Sequence, residues 1–195
     1  EPMSPIPSLP KPLRNVTKGV SKQMGRALSL ARSPVNTRRM VNTFAARGME
    51  DVIASPEMMD AEIPAANGFF TARSLARMYA VLAGGGAVDD VRLLSPELVS
   101  QIGEEQNNTR DLVLVMPMRW RLGYHRVLGV NECPAGFGHF GFGGSGGWAD
   151  PDRDLAVAMV CNRGAGSPVG DARLMRLSRT AIESADALAG APLAG

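Results

Sequence analysis

The sequence has few cysteines, no long hydrophobic run and almost no net charge. Its two cysteines, Cys133 and Cys161, stand in no CxxC or Cys/His spacing, so we expect no metal site. No apolar run approaches the roughly 20 residues that a membrane-spanning helix needs, so we expect no transmembrane segment. The net charge of +2 gives no whole-chain attraction for nucleic acid. The sequence therefore predicts no metal, no cofactor and no nucleic-acid partner.

The charge that is present is unevenly distributed. Residues 1–49 hold nine lysines and arginines against one acid, Glu1, and could contact phosphates or anionic lipid. The alternative interpretation is a solvated face of a helical subdomain. Five prolines among residues 1–13 predict an extended linker. This N-terminus does not read as a signal peptide, and although the composition does not fix a compartment, we expect a cytoplasmic protein.

The order of predicted elements indicates an α+β fold. Apolar spacings of three and four predict helices within residues 14–110, which we expect to be mainly helical, and again over residues 170–188. Between them, residues 112–116, 119–127 and 136–161 read as three or four antiparallel strands. Residues 111–195 are therefore expected to form an antiparallel sheet that is covered on one face by a long C-terminal helix.

The stretch at residues 136–163 is the most informative, and it reads GFGHFGFGGSGGWADPDRDLAVAMVCNR. Small and aromatic residues alternate from Phe137 to Gly143, which predicts a glycine-lined strand. The turn at residues 149–152 and the apolar run at residues 155–161 then predict a hairpin. His139 lies on the glycine-lined strand. A lone strand histidine is more often hydrogen-bonded and structural than catalytic, so both interpretations stay open at this point.

Three short patterns occur in contexts that do not support their usual chemistry. Ser145 lies in a G-x-S-x-G, but a nucleophile elbow needs a helix directly after the serine, and here a turn follows. The G-x-G-x-x-G at residues 141–146 lacks the helix that would bind a dinucleotide. The S-x-x-K formed by Ser8 and Lys11 contains Pro10, which prevents the helical turn that such a pair requires.

Four separated segments together resemble the serine β-lactamase and penicillin-binding-protein-like superfamily, in particular its class C-like esterase branch. They are EIPAANG followed by TARSLAR in residues 62–77, LLSPE at 93–97, RWRLGY at 119–124 and the stretch at 136–163. The resemblance runs in the right order from about residue 62 to the C-terminus. It implies a partial β-lactamase/transpeptidase-like fold.

The resemblance also implies roles for three residues. His139 with Gly141 matches the third motif of the family, K-T-G or H-x-G, and would orient the catalytic hydroxyl and the acyl group of the substrate. Gly141 would let the substrate lie against the strand. The backbone N–H of Phe142 would form half of an oxyanion hole. The alternative for Phe142 is an ordinary strand aromatic.

The family's nucleophilic S-x-x-K and its Y-x-N or Y-x-S motif have no match in the resembling segments, and neither Tyr79 nor Tyr124 fits. We therefore expect this chain to be a C-terminal portion whose partner is the missing N-terminal half. The complete protein would cleave small-molecule carboxylic esters through an acyl-serine intermediate. Alternatives are a β-lactamase or D-Ala-D-Ala peptidase acting on amides, or a non-catalytic truncated product that binds through the basic N-terminal helices.

Overall fold

The computed structural model describes residues 55–64, 68–114, 116–127, 131–141, 144–162 and 172–190. The helices and strands follow one another along the chain as α1 (Pro56–Asp60), α2 (Ala72–Ala83), β1 (Ala87–Val88), β2 (Val91–Arg92), α3 (Pro96–Gly103), β3 (His125–Arg126), β4 (Phe137–Phe140), β5 (Gly146–Asp150), a 3-10 turn (Pro151–Arg153), β6 (Leu155–Met159) and α4 (Ala172–Gly190). The linker and helices predicted for residues 1–48 lie outside the described residues.

The chain divides into two compact units, residues 1–69 and 70–195. Of the first unit the structure describes α1, a single turn capped by Ser55, whose side chain accepts from the N–H of Met58 at 3.2 Å. The second unit holds every other element. All further structural statements concern this second unit.

Four strands form one antiparallel sheet in the order β3-β4-β5-β6. The register pairs His139 with Gly147 and Gly138 with Trp148 across β4 and β5, and Trp148 with Val157 across β5 and β6. Because successive side chains of a strand point to opposite faces, Trp148 faces one side of the sheet while Gly147 and Ala149 face the other.

Helix α2 covers the face to which Gly147 and Ala149 belong. Its residues Tyr79, Leu82 and Ala83 share a buried cluster with Phe137 and Ala149. The small side chains of β5 on this face allow the close approach, since a Cβ added to Gly147 would lie only 2.6 Å from ring carbons of Tyr79. The capping box of Thr71 and Ser74 fixes where this helix begins.

Helix α4 covers the opposite face, which confirms the predicted α+β architecture with a long C-terminal helix over the sheet. Trp148 is fully buried among Leu174, Ile182 and other apolar residues. Its indole Nε1–H donates to Ser178 Oγ at 2.8 Å, and Ser178 is itself fully buried. A buried indole N–H needs such a partner, so this bond fixes the position of α4 along the sheet.

A second contact joins α4 to the turn after β5 through a charged network. Arg153 donates to Asp186 Oδ1 of α4 at 2.7 Å and to Asp150 Oδ2 at 2.8 Å. The carboxylate of Asp150 is fully buried and also accepts from Cys133 Sγ at 3.1 Å. Burial, together with that carboxylate, raises the pKa of the Cys133 thiol to about 12. The buried carboxylate of Asp150 is thus hydrogen-bonded by the Cys133 thiol, the Arg153 guanidinium and the N–H of Asp152.

Two of the predicted strands were largely wrong. Residues 112–114 form a turn because Asp111 Oδ1 accepts from the N–H groups of Val113 and Leu114, which offers the backbone an alternative to a sheet. Of residues 119–127 only His125 and Arg126 form a strand, β3. Arg119 and Gly123 have positive φ angles of 51° and 78°, which interrupt extended structure.

The glycine-rich strand was predicted too long. Strand β4 ends at Phe140, and the glycines that follow close a hairpin, in which Gly141 N–H donates to Ser145 O at 2.8 Å and Gly144 N–H to Gly141 O at 3.1 Å. Gly144 has a φ of 103°, a conformation that glycine adopts most readily. The stretch thus contains three strands rather than the two of a single hairpin.

Replacing Ser178 by Ala should lower the free energy of unfolding by about 1–3 kcal/mol, because the buried indole N–H of Trp148 would lose its acceptor. Urea unfolding followed by circular dichroism measures this change. The matched control is Ser184→Ala, an exposed serine of the same helix, which should change the stability little. Equal effects of the two substitutions would contradict the assigned role of Ser178.

Candidate functional site

The candidate site lies where β4 runs beyond the end of its neighbour β3. Strand β3 pairs only with Phe137 and Gly138, so within the described residues no strand covers this side of His139 and Phe140. The other side of β4 is paired with β5 as far as Phe140. The end of β4 therefore carries one exposed side chain, that of His139, beside buried Phe140, on a segment that β3 does not pair.

His139 shares the face of the sheet that α2 covers, because it lies two residues after Phe137 on the same strand. Its side chain is nevertheless exposed. Partial loss of solvation lowers the pKa of His139 from its usual value, which favours the neutral imidazole. A neutral imidazole at an exposed strand end can accept a proton or hydrogen-bond a ligand.

Tyr79 of α2 holds the backbone of His139. Its hydroxyl oxygen accepts from the N–H of His139 at 3.2 Å, while its ring lies against the bare backbone of Gly147. The side chain is 4% exposed, and burial, with a smaller contribution from Tyr124, raises its pKa well above the usual range. The phenol therefore stays neutral and acts here as a fixed hydrogen-bonding group.

His125 of β3 holds the next residue. The N–H of Phe140 donates to His125 Nε2 at 3.3 Å, and His125 Nδ1 lies 2.8 Å from the carbonyl oxygen of Arg126. The ring is 1% exposed, and burial lowers its pKa to about 4. Both nitrogens are thus used by the backbone, and the ring is uncharged at neutral pH.

Gly141 and Phe142 complete the predicted site. Gly141 donates its N–H to Ser145 O, and a Cβ added to Gly141 would lie 3.1 Å from that oxygen, so the hairpin has little room for a side chain here. Phe142 lies outside the described residues, and its oxyanion role stays a prediction. The roles given to His139 and Gly141 are likewise predictions.

The structure places Ser145 in the hairpin and directly before β5, rather than before a helix. Its Oγ accepts from the N–H of Cys161 at 2.9 Å. This hydrogen bond joins the start of β5 to the end of β6. Since a strand and not a helix follows Ser145, the structure agrees with the sequence argument against a nucleophile elbow. The G-x-G-x-x-G at residues 141–146 also leads into strand β5 and not into the helix that a dinucleotide site needs.

Sequence reasoning missed Tyr79 and His125. The one signal for Tyr79 was that a buried tyrosine needs a partner for its hydroxyl group. Nothing in the sequence pointed to His125, because its bond to Phe140 joins residues that are 15 positions apart. Hydrogen bonds between residues this far apart depend on the register in which the strands pair, and local sequence patterns do not reveal them.

Among the described residues, no three or more His, Cys, Asp or Glu side chains lie close enough together to hold a metal ion. In the same part of the chain, no helix combines the length and apolarity that crossing a membrane requires.

The only lysines of the sequence are Lys11, Lys18 and Lys22, all outside the described residues. No Ser–Lys pair can therefore form within that part.

Comparison with known proteins gives consistent matches. A family model described as "Beta-lactamase" matches residues 14–180. Esterase/beta-lactamase LipL of Mycobacterium tuberculosis (strain ATCC 25618 / H37Rv) is 50% identical over 107 residues, which are 54% of this chain and 25% of that protein.

Two solved structures are also similar. A novel penicillin-binding protein homologue from Caulobacter crescentus has a TM-score of 0.68 and 33% identity over 78% of this chain and 41% of its own. A family VIII carboxylesterase has a TM-score of 0.52 and 31% identity over 56% of this chain and 30% of its own. The chain thus spans between 25% and 41% of the length of these relatives.

The stability of the protein should fall as the pH is lowered from 6.5 to 5. The pKa of His125 is about 4 in the folded protein against 6.5 as its ordinary value, so the unfolded chain binds more protons in this window. The lowered pKa of His139 acts in the same direction. The expected loss is about 1–2 kcal/mol.

Urea unfolding at pH 6.5, 5.75 and 5 tests this expectation. A His125→Phe variant should show a smaller pH dependence than the unchanged protein, because one of the two titrating rings has been removed. If both proteins lose the same free energy across this window, buried His125 is not the source of the effect.

Proposed function

Because the chain belongs to the beta-lactamase family, we propose that the complete protein is a serine hydrolase that cleaves carboxylic esters through an acyl-serine intermediate. The observation that carries this proposal is the exposed imidazole of His139 at the uncovered end of β4, followed by a glycine hairpin. The names of two relatives, an esterase/beta-lactamase and a carboxylesterase, support the same reaction class.

In this proposal His139 hydrogen-bonds the catalytic hydroxyl or the acyl group of the bound ester. Its lowered pKa supports this role, because a neutral imidazole can both accept and donate a hydrogen bond. The absence of a side chain at Gly141 would let the substrate approach the strand closely. The N–H of Phe142 would then stabilise the charge that develops on the carbonyl oxygen.

The attacking serine, its lysine and the family's tyrosine are proposed to lie in an N-terminal portion of the protein that these 195 residues do not include. Two observations support this. The chain spans only 25–41% of its relatives, and its single S-x-x-K, at Ser8 and Lys11, contains Pro10. The chain by itself is then inactive.

A β-lactamase or D-Ala-D-Ala peptidase is the second candidate, and the similarity to a penicillin-binding protein homologue over 78% of the chain favours it. Against it stands the identity of the third-motif residue. A lysine would offer a permanent cation to the carboxylate of a lactam or peptide, whereas partial burial lowers the pKa of His139 and favours its neutral form. Esters, which carry no such carboxylate, suit the histidine better.

Turnover of p-nitrophenyl butyrate and of nitrocefin, together with labelling by a serine-reactive phosphonate, tests the proposal. A longer form of the protein that includes the residues preceding Glu1 should hydrolyse the ester faster than the lactam, and the phosphonate should label one serine. The 195-residue chain should show no labelling. Labelling of a serine inside this chain would overturn the assignment of the nucleophile, and preferred hydrolysis of nitrocefin would favour the second candidate.

Replacing His139 by Ala in the longer form should lower kcat for the ester by about 10²–10⁴-fold, the usual contribution of a positioned acid–base group. Arg77→Ala, which removes an exposed ion pair with Asp89, should leave turnover unchanged and serves as the control. Full activity of the His139→Ala variant would remove His139 from the site.

A further inference from the structure

We propose that His125 is a positioning residue for this reaction, because its ring holds the backbone of the His139–Phe140–Gly141 segment where β3 no longer pairs with it. This inference rests on the proposed function. His125 would touch neither the substrate nor the attacking serine. It would act through the strand that carries His139.

The hydrogen bond between the Phe140 N–H and His125 Nε2 takes the place of strand pairing that β3 does not provide. His125 pairs with Gly138, so continued antiparallel pairing would bring Gly123 opposite Phe140. The chain leaves the ladder before that point, since Gly123 has a φ of 78° and Arg121 N–H donates to Tyr124 O at 2.8 Å in a tight turn. The N–H of Phe140 therefore has no strand partner on this side, and His125 Nε2 accepts it at 3.3 Å.

The second ring nitrogen fixes the orientation and the tautomer. A backbone N–H can only donate, so Nε2 must be the unprotonated nitrogen and Nδ1 must carry the proton. Nδ1 lies 2.8 Å from the carbonyl oxygen of Arg126, which is the acceptor that this tautomer requires. The ring is thus held at both ends by backbone groups, and rotation about its bonds would break both contacts.

Packing of the ring extends the restraint to the proposed site. His125 lies edge-to-face against Phe140 and Trp120, with ring centroids 5.4 Å and 5.9 Å apart. The ring centroids of His125 and His139 lie 5.5 Å apart with an interplanar angle of 66°, so the buried histidine also packs against the exposed one. His139 is also the titratable side chain whose charge acts on His125.

Loss of the Nε2 acceptor would leave the Phe140 N–H buried without a partner and would free the end of β4 to shift. A displacement of about 1 Å at a reacting group can reduce a rate about 100-fold. Since His139 and Gly141 flank Phe140, the effect should appear in kcat while KM stays nearly unchanged. This pattern separates poor positioning from weaker ground-state binding.

The test uses the longer, active form with two variants of His125. His125→Phe keeps an aromatic ring of similar size but has no acceptor, and it should lower kcat for p-nitrophenyl butyrate by about 10–100-fold. His125→Gln carries an amide oxygen that can reach the Phe140 N–H, and it should recover at least part of that loss. Ile182→Val, a truncation in the core beneath α4, controls for a general loss of stability.

Two further measurements do not depend on activity. Hydrogen exchange read by mass spectrometry should show faster exchange of the peptide that contains Phe140 in His125→Phe, and not in His125→Gln or Ile182→Val. In the unsubstituted protein, ring ¹⁵N chemical shifts should report His125 as a neutral imidazole with the proton on Nδ1. That measurement needs no variant to fold.

A proton on Nε2 of His125 would overturn the proposal, as would full kcat together with full amide protection in His125→Phe. If no form of the protein hydrolyses the ester, the proposed function fails, while the exchange and ¹⁵N results still decide whether His125 holds the strand. Slow turnover in His125→Phe with unchanged Phe140 protection would also contradict the proposal, because the effect would then not pass through the backbone.

Discussion

The architecture depends on the alternation of side chains along β5. Trp148 faces α4, while Gly147 and Ala149 face α2, so a single strand presents a large group to one helix and almost none to the other. The tryptophan fills the space beneath α4 and is tied to it through Ser178. The bare backbone of Gly147 lets Tyr79 approach closely enough for its hydroxyl group to reach the N–H of His139. Packing on both faces thus determines how the site is held.

The fold class and the family were predictable from sequence because they depend on features that span many residues. Helical periodicity in residues 170–188 and the order of the separated motifs gave an α+β fold with a covering helix, and the structure and the comparisons confirm both. The strands predicted at 112–116 and 119–127 were largely wrong, since residues 112–114 form a turn and only His125 and Arg126 form a strand. The Asp111 carboxylate accepts local hydrogen bonds from backbone N–H groups, and Arg119 has a positive φ, so these segments form turns instead.

The candidate site was predictable only in part. His139, Gly141 and Phe142 could be singled out because a family motif marks them. The side chains that hold this segment could not be found, since Tyr79 and His125 lie 60 and 15 positions away from their hydrogen-bonding partners. A motif identifies which residues meet a ligand, but the register of the sheet decides which residues keep them in place.

The buried pair of Cys133 and Asp150 has a consequence for a protein proposed to handle activated acyl groups. A thiol that keeps its proton is a poor nucleophile, because the thiolate is the reactive form. The carboxylate beside it disfavours that form, and the complete burial of the side chain denies access to electrophiles and peroxides. The thiol of Cys133 therefore cannot compete with an oxygen nucleophile, and oxidative damage at this cysteine requires the surrounding structure to open first.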